Sequence, residues 1–512
     1  MSKKVIARNI LATLILQFVT IINGLVVPKI FISFFGSEAN GLVTSINQFL
    51  NYVTLLEGGL NGVIMASLYK PLRDNDHQKI SAIFNATQRF FKQIGVIYIA
   101  YSLVLAVVYP LFVETAYSYP YVLTLVLVLA VNLFVQYFFS MTYQVLIRAS
   151  QNVYLGALTK AGVMLLNIVL VIILTKLYPD LILVKTVSAI VLFIQPIVYC
   201  AYTKKHFQID KSVPRDDNAI KQRWAGFGHT LAYFINTNIS VLMLTAFSSL
   251  STVSVYSVYL MITNSIRNFS VSIASAIVPS LGSVIASGDR EESNKAFNVF
   301  EFGMGFFTTL LFTCGIALVV PFVRVYTANI TDAEYIQPLF AIVLMVAELI
   351  YCIREPYINA AYAAGHIKQT VKFAYAETAI HIVLSFLLVH KLNLVGVALA
   401  FLVSLLFRMV AHVVYLKKHI FQRSIRRSVR TIALFMAVSA LVVFVANLIL
   451  PLTSIGSYFE WFLNGVAVFA MTLVALMLLS VVAFRSELKA IISKKAKSNK
   501  LQAEEPENET KE

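Results

Sequence analysis

An all-α polytopic membrane protein is the fold this sequence predicts. About 14 transmembrane helices are expected, in two pseudo-symmetric six-helix bundles followed by two more helices. Three observations predict it. The chain is 59% hydrophobic and only 13% charged, whereas a soluble domain usually carries about 25% charged residues. Apolar stretches near twenty residues recur from one end to the other, the length that crosses roughly 30 Å of hydrocarbon. The basic residues then collect in alternate loops, as expected of a chain that threads a bilayer repeatedly.

The spans are read at 10–34, 41–67, 93–114, 120–147, 157–177, 181–203, 225–249, 253–286, 300–325, 337–363, 370–390, 393–416, 431–450 and 459–483. The first is read as a span and not as a cleaved leader. It is too long for a signal h-region, and no small-residue cleavage site precedes Lys29. Lys3, Lys4 and Arg8 lie before it; Lys70, Arg73, Lys79, Arg89 and Lys92 follow the second span. Lys204, Lys205, Lys211, Arg215, Lys221 and Arg223 fill the central loop, and Lys417, Lys418, Arg423, Arg426, Arg427 and Arg430 follow the twelfth span. These segments and the Lys-rich tail fall on one side. The opposite loops, such as Gly36–Asn40, Tyr178–Asp180 and Pro451–Tyr458, are short and almost free of Lys and Arg. By the positive-inside rule both termini are expected in the cytoplasm. The net charge of +16 is thus a topology signal that can also meet anionic lipid headgroups; no nucleic-acid partner is expected.

Five segments result: a first bundle, 1–203; a polar cytoplasmic linker, 204–223; a second bundle, 224–416; two additional transmembrane helices, 417–483; and a cytoplasmic tail, 484–512, too polar to bury a core and expected to be disordered. The second and eighth spans both run into a charged turn and an amphipathic stretch, VIMASLYKPLRDNDHQKISAIFN and LGSVIASGDREESNKAFN. This internal likeness implies parallel repeats that could open alternately to each side. No loop is large enough to fold a catalytic domain, so no enzymatic activity and no catalytic residue are expected. Asp74-Asn75-Asp76 looks like a metal-binding triplet but sits in a short loop. Cys200, Cys314 and Cys352 are scattered inside spans without CxxC spacing, so neither a disulfide framework, a metal nor a cofactor is implied.

Four spans carry a polar stripe at helical spacing. They are Asn9, Thr13, Gln17, Thr20 and Gly24; Asn47, Asn51, Thr54, Gly58 and Asn61; His229, Tyr233, Asn236 and Ser240; and Tyr256, Tyr259, Thr263, Arg267 and Ser270. Hydrocarbon cannot satisfy such groups, so the stripes must face protein or water. Gln17, Asn47, Asn51, Asn61, His229, Asn236 and Arg267 are therefore candidates for a hydrated substrate path between the halves. The alternative is helix–helix hydrogen bonding. Within the spans the sequence reading places three cations, Arg267, Arg354 and Arg408; each costs roughly 2.5–3.5 kcal/mol to insert at mid-membrane. Arg267 is suited to a phosphate, through paired guanidinium hydrogen bonds. Glu57, beside Gly58, Gly59 and Gly62, is a candidate for ion coupling or for a structural ion pair. Arg354 and Glu355 are candidates for a coupling site or a salt bridge within the second half, in a helix that Pro356 must kink.

FFGSEANGLVTSINQFLNYVTLLEGGLNGVIMASLYKPLRDND (Phe34 to Asp76) and NTNISVLMLTAFSSLSTVSVYSVYLMITNSI (Asn236 to Ile266) resemble the polysaccharide-transport branch of the multidrug/oligosaccharidyl-lipid/polysaccharide exporter superfamily. The resemblance implies a flippase in a bacterial cytoplasmic membrane. Its cargo would be a polyprenyl-diphosphate-linked oligosaccharide, moved from inner to outer leaflet by alternating access for cell-surface polysaccharide assembly. A polysaccharide polymerase and glycosyltransferases would be its partners. Asn238–Ile239–Ser240 stands where relatives often carry an acidic residue, which speaks against ion coupling there. The alternatives within the superfamily are a flippase for the peptidoglycan lipid precursor and a cation-coupled multidrug exporter.

Overall fold

The structure, a computed structural model, describes residues 3–58, 60–218, 227–421 and 423–491. The linker cations Lys221 and Arg223 and the tail from residue 492 lie outside the described residues, as does the side chain of Asn61. Among the described residues the chain is helical throughout, with no strand. It is a multi-pass membrane fold, as its composition requires.

Among the described residues eleven helices are long and apolar enough to cross a membrane, and two joins and one division reconcile them with the fourteen spans read from the sequence. The first span and the start of the second run together in α1 (Lys3–Asn51), which bends at Gly36 (φ 83°, ψ 170°). The eleventh and twelfth are continuous in a 53-residue helix, Ile367–His419, broken at Asn393 (φ 47°, ψ −120°). The tenth is divided at Arg354 into two short helices, Pro338–Ile353 and Glu355–Ala363. Pro356 sits in the first turn of the second piece, where its missing N–H interrupts no bond.

In order, α1 is followed by a 3₁₀ turn (Tyr52–Glu57), α2 (Leu60–Asp74), α3 (His77–Phe112) and α4 (Tyr119–Val135). A π-helical turn, Gln136–Ser140, leads into α5 (Met141–Ala149), then α6 (Val153–Leu177), α7 (Leu181–Val191) and α8 (Ile194–His206). Next come α9 (Phe227–Phe247), α10 (Leu250–Ala286), α11 (Arg290–Tyr326), the pair α12 and α13 already given, the long α14, α15 (Ile425–Ile449) and α16 (Tyr458–Ala483).

Two compact units emerge. The first holds Met1–Met261, Asn329–Glu334 and Ile382–Val397. Within it α1 lies along α6, and α4 packs against α3 and α7. Its core gathers Leu42, Leu60, Tyr98, Val122 and Val184, all fully buried. Lipid is as apolar as these side chains, so close packing through small residues must hold the helices together. Gly95 of α3 receives the Phe138 ring, which a Cβ would approach to 2.3 Å; at Gly41 a Cβ would stand 1.7 Å from the Leu250 carbonyl oxygen.

The second unit holds Ile262–Ala328, Tyr335–His381 and Ala398–Glu512. Here α11 is the axis, flanked by α12, α15 and α16. Gly305 of α11 receives the Phe435 ring of α15, and Trp461 of α16 donates its indole N–H to the Leu318 carbonyl at 3.0 Å. The two C-terminal helices thus dock on α11.

The internal likeness read from the sequence has a structural form. Asp76 caps α3 by accepting the Lys79 N–H at 2.9 Å, after Asn75 at φ 52°. Asp289 caps α11 by accepting the N–H groups of Glu291 and Glu292 at 2.8 and 3.0 Å, after Gly288 at φ 78°. Both turns combine a left-handed residue with a capping aspartate, a combination that starts a helix. The Asp74-Asn75-Asp76 triplet is this turn: Asp76 caps, and Asp74 pairs with Arg73.

Candidate functional site: a cationic cavity inside the first unit

A cavity of roughly 730 Å³ opens between α1, α4, α5, α6, α7 and α8. Three cations line it: Arg148 from the end of α5, Lys160 from the second turn of α6, and Lys185 from the first turns of α7. No aspartate or glutamate is among the described residues lining it, and none of the three cations makes an ion pair among the described residues. The remaining polar wall is made of amides, hydroxyls and a phenol, including Asn47, Asn132, Gln136, Gln144, Asn167 and Tyr199. Asn167 Oδ1 is buried without a hydrogen-bond partner in the structure. Such an atom calls for water or a ligand donor, because an orphaned buried acceptor costs about 1–3 kcal/mol.

Local backbone chemistry builds this wall. The π turn places one residue more than an α-helix needs, with the Met141 N–H reaching back to the Gln136 carbonyl. That extra residue aims Gln136 and Ser140 at the cavity, a placement in keeping with π-bulges elsewhere. Tyr137, in the same turn, donates to Glu57 Oε1 at 2.6 Å. Near Arg148, Asn9 ties α1 to the α5–α6 turn: its Nδ2 donates to the Gln151 carbonyl at 2.7 Å, and its Oδ1 accepts the Tyr154 N–H at 3.0 Å. Lys185 lies over the Phe31 ring, 3.8 Å from its centre, so its charge is steadied by a π face.

The sequence-derived candidates fall in different places. Asn47 lines the cavity. Gln17 is half-buried on α1, and Asn51 is half-buried at the start of the 3₁₀ turn. Asn61 lies on α2 with its side chain outside the described residues. His229 is half-buried in the first turn of α9, and Asn236 is buried further along it. Glu57 closes the 3₁₀ turn, with Gly58 in the left-handed region (φ 56°) behind it. Among the described residues Glu57 is held by the Tyr137 phenol, not by a cation of another span.

Arg267 does not line this cavity. It is 7% exposed, donates to Glu348 Oε1 at 2.9 Å and to Asn264 Oδ1, and lies near the Tyr351 ring. The other stripe residues of α10 (Tyr256, Tyr259, Thr263 and Ser270) are likewise buried. Arg354 and Arg408 grip one carboxylate from two sides, Arg354 on Glu377 Oε1 and Arg408 on Oε2 at 2.6 Å. Glu377 lies before the Asn393 break in α14 and Arg408 after it, so this triad staples the two parts of α14 to the α12–α13 joint. Glu355 accepts from Asn359 Nδ2 at 3.2 Å. Glu301 of α11 completes the set, accepting from Tyr357 and Arg423.

Sequence reasoning missed Arg148, Lys160 and Lys185 as site residues. Lys160 falls four residues inside a span in which the sequence reading places no cation, and Arg148 one residue past another. Arg148 and Lys185 are each one basic residue in a helix and Lys160 is one of two in α6, and only the fold brings them to one space.

Comparison with solved structures places the fold. The chain superposes on "Lipid II flippase MurJ, inward closed conformation" with a TM-score of 0.70 and 15% identity, covering 94% of this chain and 99% of that one. An inward-facing multidrug resistance MATE family transporter of the MOP superfamily gives 0.62 and 13%, covering 82% of this chain and 99% of that one. The MATE multidrug transporter DinF-BH gives 0.59 and 18%, covering 83% and 97%. The protein therefore has the fold shared by these flippase and exporter structures. No family model and no curated protein sequence matches it.

Proposed function

We propose that this chain is a flippase that carries a polyprenyl-diphosphate-linked oligosaccharide across a cytoplasmic membrane by alternating access, without catalysing a chemical reaction. The observation that carries the reading is the cavity: cations and amides line it, and no carboxylate does among the described residues. A diphosphate headgroup needs fixed positive charge, and guanidinium meets it through paired, charge-assisted hydrogen bonds. Arg148 and Lys160 are assigned to the diphosphate. The amides and Tyr199 suit sugar hydroxyls, which both donate and accept. The volume lies within the roughly 300–1,000 Å³ of pockets that hold small molecules. The polyprenyl tail would remain in lipid, since no protein pocket is needed to keep it from water.

The peptidoglycan lipid precursor is the second reading. It rests on the 94% coverage by a lipid II flippase structure, against 82% and 83% for the two exporters quoted. A cation-coupled drug exporter is less well supported, because a cationic wall repels cationic cargo. The test is reconstitution of the full chain in vesicles, with fluorescent lipid-linked oligosaccharide, lipid II or a cationic dye supplied on one leaflet. Transfer of the oligosaccharide lipid that falls at least tenfold in Arg148→Ala/Lys160→Ala supports the proposal. Transfer of lipid II alone moves the function to peptidoglycan synthesis, and transfer of dye alone overturns the flippase reading.

A further inference from the structure

A second basic space lies against α3, away from the cavity. Here the chain after α8 does not leave the bundle; it folds back as a strap along the start of α3. Asn85 donates to the Asp210 and Val213 carbonyls at 3.0 and 3.1 Å. Ser81 Oγ accepts the Asp210 N–H at 3.0 Å, and the Asp216 N–H reaches the Ala82 carbonyl at 3.3 Å. Between helix and strap a groove remains, with Arg89 and Lys92 on the helix side and Lys211 and Arg215 on the strap side. None of the four makes an ion pair among the described residues. The nearby Asp210 carboxylate accepts from the Ser212 N–H and hydroxyl at 2.8 and 2.7 Å, and that of Asp216 accepts the Asn218 N–H at 3.1 Å.

The groove's other wall identifies its occupant. Val96 and Ile97 close it and are 60% and 52% exposed. Two and three turns further, Leu103, Val104 and Val107 continue the same outward apolar surface. Along α3 the surface thus changes, within two turns, from cations to hydrocarbon-facing side chains. That change marks the headgroup level of a bilayer. We infer that this groove binds an anionic phospholipid, its phosphate between Arg89, Lys92, Lys211 and Arg215 and an acyl chain lying on α3 beyond Val96. Bound lipid would clamp the strap, which begins the connection to α9, onto the first unit. The site is separate from the cavity proposed for cargo, and its test does not involve transport.

The experiment is lipid binding to the purified full chain, followed by native mass spectrometry and thermal unfolding. The probes are phosphatidylglycerol, phosphatidylcholine and inorganic phosphate. The variants are Arg89→Gln/Lys92→Gln, Lys211→Gln/Arg215→Gln and, as a control elsewhere, Lys417→Gln/Lys418→Gln. All six side chains are exposed, so the variants should fold. A basic residue near a charged membrane surface contributes about 1 kcal/mol, or about fivefold in affinity. Each groove pair should therefore weaken phosphatidylglycerol binding by about twentyfold to thirtyfold, with the control pair unchanged. Equal binding of phosphatidylcholine, or undiminished phosphatidylglycerol binding in both groove variants, overturns the site. Inorganic phosphate that protects as well as phosphatidylglycerol assigns the groove to a free anion and overturns the lipid.

Discussion

The first unit leaves its interior cations without carboxylates, whereas the second neutralises nearly all of its own. Arg148, Lys160 and Lys185 border open space; Arg267, Arg354 and Arg408 are buried, and Arg423 half-buried, against Glu348, Glu377 and Glu301. The difference separates two uses of charge inside a membrane protein. A buried pair with all its partners inside the protein fixes helices to one another and leaves no charge to offer. Cations beside a cavity keep their charge for something that comes and goes.

The harshest way to break this comparison is Glu377→Ala. It strands two guanidiniums in the interior, and breaking one partner of a buried pair costs about 3–5 kcal/mol. The purified variant should be poorly folded or melt far below the wild type. Arg354→Met/Glu377→Leu/Arg408→Met, which removes all three charges, should recover much of that loss. If Glu377→Ala melts like the wild type, the triad is not a staple.

Next in size is the cavity pair. Arg148→Ala/Lys160→Ala should change the melting temperature little, since among the described residues neither side chain has an ion-pair partner. Cargo transfer should fall about tenfold to 150-fold, from the roughly 1.5–3 kcal/mol carried by hydrogen bonds to charged groups. A large loss of stability with unchanged transfer would reverse the roles assigned to the two units.

Arg267 sharpens the contrast further. Arg267→Ala should destabilise more than Arg267→Ala/Glu348→Ala, and a double-mutant cycle should give a coupling of roughly 0.5–3 kcal/mol. If both variants fold normally and only transfer suffers, Arg267 belongs with the cargo cations after all.

The smallest effect concerns the bend at Gly36. The Asp332 carboxylate accepts the Ser37 N–H at 2.6 Å and the Ser37 hydroxyl at 2.7 Å. Asp332→Ala should lower local stability by about 0.5–2 kcal/mol, as loss of a helix cap does. Faster amide exchange over Ser37–Asn40, with the rest of α1 unchanged, is the expected readout.

Hydrophobic length made the membrane architecture legible, and Pro356 announced the break before α13. The glycines beside Glu57 anticipated a departure from α-helix, which appears as the 3₁₀ turn and the left-handed Gly58. The cavity was not legible for a physical reason. Periodicity reports which residues share a face of one helix, while this space draws single amides and cations from six helices. The α10 stripe shows the converse: its pattern is regular, yet Tyr259, Thr263 and Ser270 are fully buried. A polar face satisfies the same rule whether it meets water or other protein. The partners of the buried arginines were missed because Glu348 and Glu377 lie 81 and 23 residues from Arg267 and Arg354.

The π turn carries a surplus peptide in the wall of the cavity, and that surplus is a means of slipping register. If the hydrogen-bond ladder over Gln136–Ser140 tightened to the α spacing, everything beyond it would rotate by one residue, about 100° around the helix axis. Gln144 and Arg148 ride on that downstream segment. A single-residue ratchet, needing no hinge and no unfolding, would swing a positive charge out of the chamber and release whatever it held.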